Sequence, residues 1–168
     1  HNLYGINTNI FRITNSYGPR EQIIPNKNAV NFLIHKAFKK EKISIYNKGE
    51  FFRDLIYVDD VISGINIIIK KGKSGEVYHI ASAKKNISIY SLVNCICQIM
   101  NYDFNSSVKL ISENYGQDST YMLSSKKIRS LLDWSENISL ENGIKETILW
   151  ITNNWKIISG MSIDYIHK

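Results

Sequence analysis

An α/β fold is predicted by three observations. Strand-like and helix-like stretches alternate along the chain, the helix-like ones repeat apolar residues at helical spacing, and Gly or small polar residues stand where elements should start or stop. Asn7 to Ile13 comes first, where Ile10, Phe11 and Ile13 with Thr14 predict a buried strand. The Ser16-Tyr17-Gly18-Pro19 turn is expected to end it. Beyond Pro25, the residues Val30, Leu33, Ile34, Ala37 and Phe38 recur at i, i+3, i+4, i+7 and i+8, which predicts an amphipathic helix over Asn28 to Lys40. Ile43 to Tyr46 alternates as a short strand. Asp59 or Asp60 can cap a helix carrying Val61, Ile62, Ile65 and Ile69; Lys70 and Lys71 then sit at its negative C-terminal end, and Gly72 stops it.

Glu76 to Ala81 is strand-like, and Ser88 precedes a helix whose Leu92, Val93, Ile96, Ile99 and Met100 form one apolar stripe. Ser124 or Ser125 opens a short helix with Ile128, Leu131 and Leu132. Ser139 caps a last helix in which Ile144, Ile148, Ile151 and Trp155 are spaced by 4, 3 and 4. There is no internal repeat and no low-complexity linker.

With 168 residues, 43% of them hydrophobic and 21% charged, the chain can bury a core and reads as one soluble globular domain. Ile, Asn and Lys number 29, 18 and 17 against 4 Arg and 2 Pro, a skew that reflects genome composition more than physical demand. The net charge of +6 would suit a nucleic-acid partner, but the Lys residues fall in short, separate groups that read as solvated helix ends and loops. No stretch approaches the ~20 apolar residues needed to span a bilayer. The start at His1 carries neither Met nor a leader, so the sequence is expected to be a fragment of a cytoplasmic protein. Cys95 and Cys97 have the wrong spacing for a metal knuckle and read as neutral thiols; His1, His35, His79 and His167 read as neither catalytic nor metal-binding.

Four segments together resemble one family. Arg12-Ile-Thr-Asn15-Ser-Tyr17-Gly18-Pro19 is similar to the R-x-x-N-x-Y-G-P element of the extended short-chain dehydrogenase/reductases acting on nucleotide sugars, the NAD-dependent epimerase/dehydratase family. Ile43-Ser-Ile-Tyr46, Gly49 and Phe52-Arg53-Asp54-Leu-Ile-Tyr57-Val58-Asp59-Asp60 resemble its strand, glycine turn and R-D-x-x-Y-V-x-D run. Gly75-Glu76-Val77-Tyr78-His79-Ile80-Ala81 resembles its G-E-x-Y-N-I-G strand. Gly116-Gln-Asp118-Ser-Thr-Tyr121, Ser125-Lys-Lys-Ile128 and Leu132-Asp133-Trp134 resemble its late G-x-D, S-K and L-G-W pattern. The family's G-x-x-G-x-x-G turn for NAD and its Tyr-x-x-x-Lys pair for proton transfer have no counterpart here.

The resemblance therefore implies the C-terminal portion of such an enzyme: the last strands of a Rossmann-type sheet plus a small mixed α/β substrate-binding domain, residues 1–168 forming a single domain. NAD would belong to the full-length parent, held by a missing N-terminal half, and a homodimer would form through helices of that half. The implied substrate is a nucleotide sugar. Arg53 would fork onto its pyrophosphate, the alternative being an ion pair with Asp54 or Asp59. Asn15 would donate to a phosphate or sugar oxygen near the nicotinamide, with an Asx-turn as its alternative, and Thr14 and Tyr17 would lie on the same cofactor side. Ser44 and Tyr46 resemble the nucleobase pocket, although Tyr46 also suits a strand core. Asn28 and Val30 fall where a helix start meets the phosphates, and Asn114 stands where the family has a second phosphate-clamping Arg.

Two functions follow from these readings. The first is the substrate-binding part of a nucleotide-sugar 4,6-dehydratase or 4-epimerase; the late Gly116 to Ile128 pattern leans to the dehydratase, while Lys42 to Tyr46 is equally epimerase-like. The second is a non-catalytic truncated binding or structural module.

Overall fold

The structure, a computed structural model, describes residues 3–23, 29–83, 86–112 and 118–161. Its scaffold is short parallel β-pairs joined by helices. β1 (Ile10–Ile13) pairs in parallel with β6 (Val77–Ile80), and β2 (Asn15–Tyr17) with β5 (Leu55–Tyr57), Asn15 opposite Leu55 and Tyr17 opposite Tyr57. β3 (Ile43–Ile45) runs parallel with β8 (Val108–Leu110). The remaining sheet has three strands in the order β7 (Ile87–Ser88), β4 (Phe52–Arg53), β9 (Thr120–Tyr121).

The helices follow the apolar spacing except in the helix over Val58–Lys71, where Ile62 and Ile69 stay 51% and 74% exposed and Ile68 is buried instead. α1 (Ala29–Phe38) buries Val30, Leu33, Ile34 and Ala37; α2 (Val58–Lys71) ends at Gly72; α3 (Ile89–Ile99) buries Leu92, Val93, Ile96 and Cys97. Ser88 caps α3 through its hydroxyl, which accepts from Ser91 N at 3.1 Å. A one-turn α4 (Phe104–Ser107) precedes β8. α5 (Lys126–Leu132) and α6 (Leu140–Asn153) complete the main helices, α6 capped by Ser139, whose Oγ accepts from Asn142 N at 3.2 Å. Burial raises the thiols of both Cys95 and Cys97, consistent with neutral cysteines.

Five expectations need correction. The first strand begins at Ile10, not Asn7, and is not buried: Ile10 and Phe11 keep 58% and 42% of their surface, since β6 is the strand's only sheet neighbour among the described residues. The chain does not turn at Ser16, because Asn15–Tyr17 pairs with β5; the turn waits for Gly18, whose φ of +148° suits glycine and where a Cβ would come within 2.6 Å of Val58 Cγ1. Neither Asp59 nor Asp60 caps α2, whose N-cap is Tyr57. The buried Asp60 carboxylate instead accepts from Asn137 N at 2.8 Å and Ile138 N at 3.1 Å, across 77 residues of sequence. Leu131 stays 66% exposed while Ile128 and Leu132 enter the core. Trp155 does not extend α6: the helix ends where Asn154 Nδ2 turns back to the Trp150 carbonyl at 2.8 Å, and Trp155 opens a separate turn, α7 (Trp155–Ile158).

Two cores result. The larger gathers α1, α3 and α6 around Ile43, Ile45, Tyr17 and Tyr57; the smaller packs Val61 and Ile68 of α2 with Tyr78, Ile80, Ile128 and Trp134. α6 approaches the strands closely because it carries Gly143, where a Cβ would overlap the Tyr17 hydroxyl and lie 2.9 Å from Tyr57 Cδ2. Gly143→Ala should therefore destabilise the fold: overpacking costs ~1–3 kcal/mol, more than the ~1 kcal/mol that Ala gains over Gly in a helix. Denaturant unfolding of the two proteins checks the sign.

His35 is buried on α1 with its ring 5.5 Å from Trp155, beside Phe38, which stacks on Trp155 at 5.0 Å. Burial lowers its pKa from 6.5; Lys39 and Lys36 lower it further, against an opposing pull from Glu41. A lowered imidazole pKa means that the unfolded chain binds the proton first. Its contribution is present above pH 6.5 and is lost as the pH falls below that value toward the folded pKa. Melting curves through this range should show wild type losing more stability on acidification than His35→Phe, which keeps the ring and cannot protonate.

Candidate functional site

Arg53 stands on the middle strand of the three-stranded sheet, opposite Ile87 of antiparallel β7 and Tyr121 of parallel β9. Its Nη1 donates to the Phe52 carbonyl at 2.8 Å and to the Asp118 carbonyl at 3.1 Å, and its guanidinium lies 5.6 Å from the centre of the Phe51 ring. The side chain is half-buried at the edge of a cavity of about 320 Å³, lined also by Tyr17, Asp54, Tyr57, Asn86, Ser91 and Glu136.

The acids of this cavity are held by main-chain donors. Asp54 is buried and takes Ser82 N at 3.2 Å on Oδ1; burial raises its pKa against the opposing amide bonds from Ser82 and Leu123. Glu136 takes Ala83 N at 2.8 Å and the Ser82 hydroxyl at 3.1 Å on one oxygen and pairs with Arg129 through the other. Burial pushes Glu136 upward, but the Ala83 amide and Arg129 outweigh it and its pKa ends below the usual value. Arg129 continues to the Ala81 carbonyl at 3.1 Å and to Ser125 Oγ at 2.9 Å, and covers the Trp134 ring at 4.8 Å. Burial also raises the phenols of Tyr17 and Tyr57, so both stay protonated.

The structure gathers some of the expected residues and separates others. Asn15 lies in a strand, not an Asx-turn, and its amide donates to the Asp54 carbonyl at 3.2 Å. Tyr17 lines the cavity with its hydroxyl bonded to the Leu140 carbonyl at 3.3 Å. Thr14 is buried, and its Oγ1 has no hydrogen-bond partner among the described residues. Val30 has its side chain fully in the core, because the helical stripe that predicts α1 also turns that position inward. Ser44 points outward between buried Ile43 and Ile45, and Tyr46 is 39% exposed and so is no core aromatic. Neither lines the Arg53 cavity. Asn28 and Asn114 lie outside the described residues.

Sequence reading missed Asn86, Phe51 and Glu136. Asn86 enters the cavity only because β7 folds back antiparallel on β4; Phe51 and Glu136 sit in stretches with no periodicity to mark them. No group of three or more His, Cys, Asp or Glu among the described residues could hold a metal ion.

The chain is similar to known proteins along nearly its whole length. The chain is 28% identical over 169 residues to dTDP-glucose 4,6-dehydratase 1 of Escherichia coli, covering 94% of this chain and 44% of that protein. It is 30% identical over 160 residues to a trifunctional UDP-glucose 4,6-dehydratase, 3,5-epimerase and reductase of Arabidopsis thaliana, of which it covers 23%. Among solved structures, it superposes on a Streptomyces venezuelae dTDP-glucose 4,6-dehydratase with NAD and TYD bound at a TM-score of 0.81 and 26% identity, covering 94% of this chain and 47% of that one. It also superposes on a Thermotoga maritima UDP-glucose 4-epimerase with UDP-glucose at 0.80 and 26%, covering 92% and 48%. The chain thus spans less than half the length of these relatives. The NAD dependent epimerase/dehydratase family model matches residues 1–81, and the chain shares its α/β fold with extended short-chain dehydrogenase/reductases.

Proposed function

We propose that this chain is the substrate-binding part, a single domain over residues 1–168, of a nucleotide-sugar 4,6-dehydratase or 4-epimerase. The observation that carries the reading is Arg53, a half-buried, permanently charged fork at the edge of a cavity that Asp54, Asn86 and Glu136 also line, on the strand that bears the family's R-D run. In this reading Arg53 grips the pyrophosphate, with Asn114 as a second, uncharged donor. Asn15, through its second amide hydrogen, and the first backbone amides of α1, Val30 among them and with Asn28 just before them in sequence, meet the phosphates, and Ser44 with the Tyr46 ring borders the base. The similarity to both a dehydratase and an epimerase supports the substrate class and leaves the two reactions as alternatives.

NAD is the cofactor that the family implies. The described residues do not by themselves fit a dinucleotide. Of the three on the expected cofactor side, Asn15 gives one amide hydrogen to the Asp54 carbonyl, the Tyr17 hydroxyl donates to the Leu140 carbonyl, and Thr14 is 6% exposed. The sequence also carries no glycine-rich turn for the pyrophosphate. No step through NAD is assigned to this chain, and its binding is proposed for the longer protein alone.

The 168-residue chain, incubated with NAD and UDP-, dTDP-, GDP- and CDP-hexoses, should give neither 4-keto sugar nor C4 epimer above a heat-killed control, whereas the full-length protein should convert at least one. Product from the isolated chain would overturn this division of labour, and no product from either would favour a non-catalytic module.

A charge-assisted fork on phosphate contributes on the order of 1.5 to 3 kcal/mol, so Arg53→Ala should weaken nucleotide-sugar binding by roughly 10- to 150-fold. Lys should recover only part of this, because a point charge cannot engage two oxygens in one plane. Calorimetry on the full-length protein reads the effect. Unchanged affinity with a lower melting temperature would make Arg53 a structural residue.

A further inference from the structure

Arg53 is held on several sides by its own chain. One terminal nitrogen is fixed by two main-chain carbonyls, those of Phe52 at 2.8 Å and Asp118 at 3.1 Å. The Asp118 carbonyl is itself set in place by strand pairing, since Phe52 N donates to Ser119 O at 2.8 Å and Thr120 stands opposite Phe52. The guanidinium also lies against the Phe51 ring, at 5.6 Å from its centre, and that ring is 4% exposed and cannot swing aside without opening the interior. Two carbonyls fix where one end of the guanidinium sits, and the ring restricts how it turns about that end.

We propose that Phe51 is a positioning residue for diphosphate recognition: its buried ring, with the Phe52 and Asp118 carbonyls, presets the Arg53 guanidinium in the pose that receives a phosphate. The inference rests on the reading of Arg53 as the phosphate contact and adds to it a cause for the fit. A long, rotamer-rich side chain loses affinity when it must be ordered on binding; removing that cost in advance corresponds to roughly 2- to 12-fold in Kd. Sequence reading gives no hint of this, because Phe51 appears only as one of two adjacent Phe residues before Arg53.

The test is a double-mutant cycle on the full-length protein, with uridine diphosphate and thymidine diphosphate as calorimetric probes. Phe51→Leu should weaken binding of the better probe by roughly 2- to 12-fold, while Phe51→Tyr, which keeps the ring, should restore affinity close to wild type. In an Arg53→Ala background, Phe51→Leu should cost nothing further, since nothing remains to be positioned. Phe51→Met, an unbranched side chain that adapts to irregular space, serves if Phe51→Leu does not fold, and melting curves accompany every variant. An equal loss from Phe51→Leu in both backgrounds, or no loss in either while Arg53→Ala weakens binding, would overturn the inference and leave Arg53 as a phosphate contact. Unchanged binding on Arg53→Ala would remove the reading of Arg53 and the inference together.

Discussion

Two carboxylates, the buried Asp60 and the half-buried Glu136, fix the chain segment on which the rest of the molecule leans. Asp60, in the first turn of α2, gathers the amides of Asn137 and Ile138, and Glu136 gathers the Ala83 amide and the Ser82 hydroxyl while pairing with Arg129. A buried carboxylate without such donors would be costly, so each enforces the geometry that satisfies it. Together they tie four parts of the chain distant in sequence: the start of α2, the end of β6, α5, and the approach to α6.

That constraint decides where the two cores meet. The segment leaving Trp134, whose indole donates to Ser63 at 2.8 Å in the smaller core, reaches Ser139, which caps the helix closing the larger core. Because α6 is pinned there, Gly143 can press on Tyr17 and Tyr57, and β2 and β5 are covered on that side. The cavity beside Arg53 lies between these strands and the pinned segment, and its acidic lining is largely the same set of carboxylates that hold the fold together. These carboxylates accept from main-chain amides, a hydroxyl and Arg129, and the same cavity is lined by the cation on β4 together with Asn86, Ser91 and Tyr57.

Helix positions, the apolar faces of α1, α3 and α6, and two Ser caps were legible in the sequence because they are local: a 3.6-residue repeat and an i to i+3 hydroxyl bond need no information from elsewhere. The motif run around Arg53-Asp54 was legible too, through resemblance, as was the α/β class. Two-residue strands such as Phe52–Arg53 and Ile87–Ser88 were not, since neither is long enough to show alternation and each exists only through its partner.

The sequence by itself determined which residues could be helix, which face of α1, α3 and α6 would be buried, and that a cation of unusual type stood in the chain at Arg53. Tertiary structure alone decided that Asp60 serves a distant segment instead of its own helix end, that Ile62 and Ile69 of α2 stay exposed, and that Asn86, Phe51 and Glu136 belong to the neighbourhood of Arg53. The physical reason is the same throughout. Local periodicity sets what a residue can pack, whereas the partner of a buried charge or hydrogen-bonding group is whichever donor or acceptor the completed fold brings within about 3 Å.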